Sequence, residues 1–208
     1  RVLFRSLIMG GSLGFGDMEE TFLSLLKLKR DIQIVVITGT NQKLLHYLEK
    51  CSKSSRKCIK IIGYTDKVSD FMDMCDLLIT KPGGMTISEA LIKNIPLVLI
   101  SPIPGQEERN AQFLSNIGAA ARVLKKGDLN NVLNQVIDNP LRMCHMKEMA
   151  KFLSKPDATE KVASLLANMS LAFKEHQCQV PLNISQNIIT QSNNTLNMPG
   201  PDNQQWSY

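Results

Sequence analysis

The sequence predicts an α/β fold: a doubly wound, mostly parallel six-stranded sheet followed by C-terminal helices. Apolar runs of strand length alternate with stretches of helical periodicity as far as about position 124. The runs are almost continuously apolar, as strands covered on both faces are. Strands linked by helices in this way imply a parallel sheet with a layer of helices on each side.

The strands are expected at Val2–Met9, Ile32–Thr38, Ile59–Tyr64, Asp76–Thr80, Pro96–Ser101 and Ala119–Leu124. The intervening helices are expected at Asp17–Arg30, Asn41–Ser52, Val68–Met74, Met85–Lys93 and Glu107–Asn116, each carrying apolar residues three and four apart. Three more, Leu129–Asp138, Leu141–Leu153 and Ala158–Met169, follow the last strand. Asn139-Pro140 and Lys155-Pro156-Asp157 separate them, since proline starts or stops a helix. The pattern is Rossmann-like, with one domain over residues 1–170. Residues 171–208 turn to Asn, Gln, Ser and Pro and are expected to be a disordered polar tail. The opening residues already read as a strand, so a fragment of a longer protein is expected.

With 208 residues the chain is long enough for one sizeable core. It shows no apolar run of membrane-spanning length and no leader-like start, and its five cysteines form no CxxC pair, a usage that fits reduced thiols inside a cell. No metal-ligand spacing is present. The net charge of +5 and the Lys50, Lys53, Arg56, Lys57 and Lys60 cluster suit either a solvated helix end or an anionic membrane surface. Nucleic acid is not expected, because no aromatics interleave with the cluster.

In a parallel sheet of this kind ligands bind beyond the carboxyl ends of the strands. Three loops there carry unusual residues. The first, Gly10-Gly11-Ser12-Leu13-Gly14-Phe15-Gly16, fits no dinucleotide fingerprint and, with Asp17 where a P-loop has lysine, no P-loop. A glycine turn that brings backbone N–H groups to a phosphate remains open, beside a plain turn. The second, Lys81-Pro82-Gly83-Gly84, leads into Met85, Thr86 and Glu89. T-x-x-E is a capping box, yet a carboxylate one turn into a helix that begins at a phosphate also suits the two hydroxyls of a ribose. The third, Pro102-Ile103-Pro104-Gly105, ends on Gln106, Glu107 and Asn110, whose amides and carboxylate are expected to read sugar hydroxyls.

The segments MGGSLGFGD, GYTDKVSDFMDMCDLLITKPGGMTISEA and PIPGQEERNAQFL together resemble the C-terminal, donor-binding half of GT-B glycosyltransferases, in the group of monogalactosyldiacylglycerol synthases and processive diacylglycerol glucosyltransferases. The resemblance covers about Val2 to Met169. It implies an inverting transfer of glucose or galactose from a UDP-sugar to diacylglycerol at the cytoplasmic face of a membrane, with no cofactor or metal. By the same resemblance Gly10, Gly11 and Ser12 lie along the diphosphate, and Tyr64 and Thr65 border the uracil. Met85 and Thr86 bind the α-phosphate, Glu89 takes the ribose, and Gln106 and Glu107 hold the hexose. The acceptor site and catalytic base would lie in an N-terminal domain outside this chain. A stand-alone UDP-sugar-binding subunit of a two-subunit N-acetylglucosaminyltransferase, and a non-catalytic α/β module, are the alternatives.

Overall fold

The computed structural model describes residues 3–11, 17–125 and 127–178. The strands are β1 (Phe4–Met9), β2 (Ile32–Ile37), β3 (Cys58–Ile62), β4 (Leu77–Thr80), β5 (Leu97–Leu99) and β6 (Ala120–Arg122). The helices between them are α1 (Met18–Lys27), α2 (Gln42–Ser52), α3 (Val68–Met74), α4 (Gly84–Ile92) and α5 (Gln106–Asn116). After β6 come α6 (Leu129–Ile137), α7 (Pro140–Leu153) and α8 (Ala158–Cys178).

Among the described residues all strand pairs are parallel, in the order β3-β2-β1-β4-β5-β6. The chain winds outward from β1 to β3, then crosses back to β4 and winds the other way. The order therefore reverses between β1 and β4, and the crevice beyond their carboxyl ends is the place where such sheets bind ligands.

Period-two alternation sorts the strand side chains into two cores. Ile8, Leu77, Ile79 and Val98 join Phe22 and Leu25 of α1, Leu48 of α2 and Leu133 of α6 on one face. Leu7, Met9, Leu78, Leu97 and Leu99 join Met72, Ile87, Leu114 and Ala150, from α3, α4, α5 and α7, on the other. At the strand starts, Arg5 grips Asp76 through its backbone N–H at 2.8 Å, Nε at 3.1 Å and Nη2 at 2.8 Å. Burial on its own would raise the Asp76 pKa, and the bonds from Arg5 overcome it and hold the carboxyl below its ordinary value.

Two helix starts follow the sequence signals closely. The Asn41 side chain accepts from the Leu44 N–H at 3.0 Å, and Asn139 accepts from the Arg142 N–H at 3.0 Å with Pro140 opening α7. The strands are shorter than expected at several ends, and α1 stops at Lys27 instead of Arg30. Two compact units divide between Pro156 and Asp157, so α8 belongs to the second unit and not to the first. α8 also continues to Cys178, past the expected boundary at residue 170, because Leu171, Ala172, Lys174 and Glu175 are good helix formers. The remainder of the polar tail lies outside the described residues. Among the described residues no helix is long and apolar enough to cross a membrane.

Candidate functional site

The site assembles at the reversal between β1 and β4. Met9 and Thr80 are register partners there, and the buried Thr80 Oγ1 donates to the Met9 carbonyl at 2.9 Å, which locks the two strand ends together. Gly10 is buried at the end of β1, and Gly11 turns the chain at φ +75°, a conformation that favours glycine. Ser12, Gly14 and Gly16 lie outside the described residues.

The second loop corrects the capping-box expectation. The N-cap of α4 is Gly83, so Gly84 and Met85 are the first helical residues and Thr86 is the third. The first intrahelical bond runs from the Ile87 N–H to the Gly83 carbonyl at 3.0 Å, and no side chain caps the helix. The N–H groups of Gly84, Met85 and Thr86 therefore have no intrahelical acceptor and point out of the helix start, where its partial positive charge is concentrated. Thr86 and Glu89 are three residues apart on one face. Neither side chain makes a hydrogen bond or ion pair among the described residues.

Nothing inside the fold requires glycine at 83 or 84. Gly83 has φ −71°, and a Cβ at either position would meet only Glu107 Oε1 at 3.9 Å or Gln106 Nε2 at 3.7 Å, ordinary contact distances. The same distances show that the second and third loops adjoin, with Gln106 against Gly84 and Glu107 against Gly83. Met85 is 80% exposed and Glu89 is exposed, so this helix start forms an open face and not an enclosed cavity.

Within the third loop the predicted residues divide their roles. Glu107 Oε2 accepts from the Ile103 N–H at 2.9 Å, closing the Pro-x-Pro bend, and its other oxygen faces Gly83. Asn110 donates from Nδ2 to the Pro82 carbonyl at 3.0 Å, so its amide N–H holds the glycine turn in place instead of reaching outward. Tyr64 is 71% exposed just past β3, and Thr65 Oγ1 accepts from the Lys67 N–H at 3.1 Å. These two stand at the sheet edge, three strand spacings or roughly 14 Å across the sheet from β4. No described contact joins them to the glycine turns.

Two residues escaped the sequence reading. Ser101, just past β5, has φ +43°, and its Oγ donates to Asp17 Oδ2 at 2.5 Å. Asp17 stands at the N-cap of α1 yet makes no side-chain cap bond there. A cavity of about 350 Å³ opens beside this pair, also lined by Pro102, Glu108, Arg122 and Leu124, and includes none of Gly83, Gly84, Thr86 or Glu89. Asp17 enters the sequence reading only as the first residue of a helix, standing where a P-loop has lysine, and Ser101 only as the end of a strand.

The basic cluster lies at the opposite edge of the sheet, around the end of α2 and the start of β3. Lys57 is not available to an outside partner: its Nζ donates to the Leu28 and Arg30 carbonyls at 2.7 and 2.6 Å, satisfying the end of α1. Lys50, Lys53, Arg56 and Lys60 are exposed.

Comparison with known proteins bears on the family and the fold. Processive diacylglycerol beta-glucosyltransferases from Bacillus cereus and Bacillus thuringiensis are 29% and 28% identical over 161 residues, 77% of this chain. The chain spans only 41% of the length of these relatives. Among solved structures, Acinetobacter baumannii MurG aligns with a TM-score of 0.66 at 22% identity over 81% of this chain and 50% of its own. Anabaena HepE in complex with UDP-glucose aligns at 0.61, with 16% identity over 80% and 49% of the two chains. These likenesses bear on the fold alone, that of a GT-B-type α/β domain. The glycosyltransferase family 28 C-terminal domain matches residues 6–165, from the middle of β1 into α8, and the chain belongs to that family.

Proposed function

We propose that the chain is the donor-binding half of an inverting hexosyltransferase that moves glucose or galactose from a UDP-sugar to diacylglycerol. The observation that carries this reading is the uncapped start of α4. Two glycines with no internal reason to be glycine expose three unpaired N–H groups there, with the unengaged side chains of Thr86 and Glu89 behind them.

In this reading the N–H groups of Met85 and Thr86 and the Thr86 hydroxyl hold the α-phosphate. Glu89 accepts from both ribose hydroxyls. Gly10, Gly11 and Ser12 flank the diphosphate from β1, and Tyr64 and Thr65 border the uracil. Gln106 and the free oxygen of Glu107 hold the hexose. As the anomeric bond breaks, negative charge grows on the departing UDP, and the dipole of α4 with its N–H groups is already oriented to stabilise it. That arrangement supplies charge stabilisation from backbone and dipole, without calling on a metal or cofactor. The names of the relatives support diacylglycerol as acceptor. In this reading the acceptor site and the catalytic base lie in the part of the longer relatives that this chain does not span. The exposed Lys50, Lys53, Arg56 and Lys60 would sit against the anionic cytoplasmic face of a membrane, each contributing about 1 kcal/mol near the surface.

Calorimetric titration with UDP, UDP-glucose, UDP-galactose and ADP-glucose tests the donor assignment. Binding of the uridine ligands and rejection of ADP-glucose is the expected result. Absence of UDP binding at millimolar concentration would sink it.

A further inference from the structure

The loop after β5 presents Gln106 and Glu107, yet little packing lies behind it, because the 350 Å³ cavity lined by Ser101, Pro102 and Glu108 opens there. Polar ties hold it instead. Glu107 closes the bend on itself through the Ile103 N–H, Glu108 pairs with Arg122 Nη2 of β6 at 2.7 Å, and Ser101 Oγ bonds to Asp17. The Ser101 tie differs from the others because it crosses to the start of α1, directly after the glycine turn of β1. Ser101 also adopts a left-handed backbone, which persists in a non-glycine residue only where its surroundings impose it. Asp17, for its part, leaves its own helix uncapped, although aspartate is among the preferred N-cap residues. The two residues thus meet between segments 84 residues apart, one in a strained backbone and the other without a cap bond to its helix.

We infer that Asp17 and Ser101 are positioning residues for the donor sugar: their hydrogen bond fixes the loop carrying Gln106 and Glu107 to the start of α1. The inference rests on the donor-site reading above and assigns the pair no contact with the nucleotide. The α4 start, which holds the nucleoside diphosphate, is tied to α5 by the Asn110–Pro82 bond, which these substitutions leave in place. Loosening the Ser101 tie should therefore act on hexose binding and leave UDP alone.

The test is titration of the parent chain, Ser101→Ala, Ser101→Gly, Asp17→Ala, Asp17→Asn and the double Ser101→Ala/Asp17→Ala variant with UDP and with UDP-glucose. In both Ser101 variants and in Asp17→Ala, the ratio of the UDP-glucose Kd to the UDP Kd should rise about fivefold or more, the worth of one lost hydrogen bond. The UDP Kd itself should stay within about twofold of the parent. Ser101→Gly relieves the backbone but lacks the hydroxyl, so a loss equal to that of Ser101→Ala assigns the effect to the bond. Asp17→Asn keeps an oxygen that accepts from Ser101 and should recover most of the parent ratio. The double variant should lose no more than the worse single one. An unchanged ratio in Ser101→Ala and Asp17→Ala, or losses that add in the double variant, overturns the inference while UDP binding by the parent keeps the donor site. A parent that binds neither ligand overturns both.

Discussion

Replacing Glu89 by alanine separates a ligand-facing carboxylate from a structural one. Glu89 is the sixth residue of the nine-residue α4, exposed, and its side chain makes no hydrogen bond or ion pair among the described residues. Its charge sits in the C-terminal half of the helix, where the dipole disfavours an anion. Glu89→Ala should therefore leave the melting temperature unchanged or raise it slightly. If the carboxylate accepts from a ribose diol, its removal forfeits bonds to a charged acceptor, of the order of 1.5–3 kcal/mol. That is a rise of roughly 10- to 150-fold in the UDP Kd. A capping role predicts the reverse, a stability loss of about 0.5–2 kcal/mol with affinity intact. Calorimetry with UDP and with 2′-deoxy-UDP, beside a thermal melt, reads both quantities. The deoxy ligand should bind the parent more weakly and lose less than UDP does in the variant. A Glu89→Ala protein that binds UDP within about twofold of the parent refutes the ribose assignment.

Two further outcomes follow from the fold. Gly118 ends α5 at φ +81°, and a Cβ there would stand 2.9 Å from His145 Nε2, so Gly118→Ala should cost about 1–3 kcal/mol by urea unfolding, and adding His145→Ala should recover only the steric share. Asp76 has a lowered pKa in the folded state, so its contribution is complete above the ordinary carboxylate value of about 4 and is lost as the pH falls through the lowered one. Asp76→Asn should thus destabilise by about 1–2 kcal/mol at neutral pH, a modest figure because both partners are partly exposed. The gap from the parent should narrow steadily in urea titrations taken below about pH 4. A gap independent of pH would remove the ion pair as its cause.

The succession of strands and helices was legible in the sequence because burial on both faces leaves near-continuous apolar runs, and a helix leaves a 3.6-residue period. Asn41 and Asn139-Pro140 marked helix starts for an equally local reason, since a cap bonds within its own first turn. The three loops that matter could be picked out too, because a parallel sheet delivers every strand's carboxyl end to one edge.

What individual side chains do was decided only by tertiary contacts. Thr86-x-x-Glu89 satisfies the capping pattern, yet the helix starts at Gly83, next to the Pro82 carbonyl that Asn110 holds from a neighbouring helix. Lys57 belonged to a basic run in sequence and serves the end of α1 in space. Asp17 and Ser101 gave almost no signal, because a bond between segments 84 residues apart leaves no periodicity and no spacing rule. The sequence alone determined the chain's layers and the edge at which they offer a site, through local periodicity and strand direction. The choice between a carboxylate that caps its own helix and one that faces outward depended on neighbours brought together only when the sheet closes.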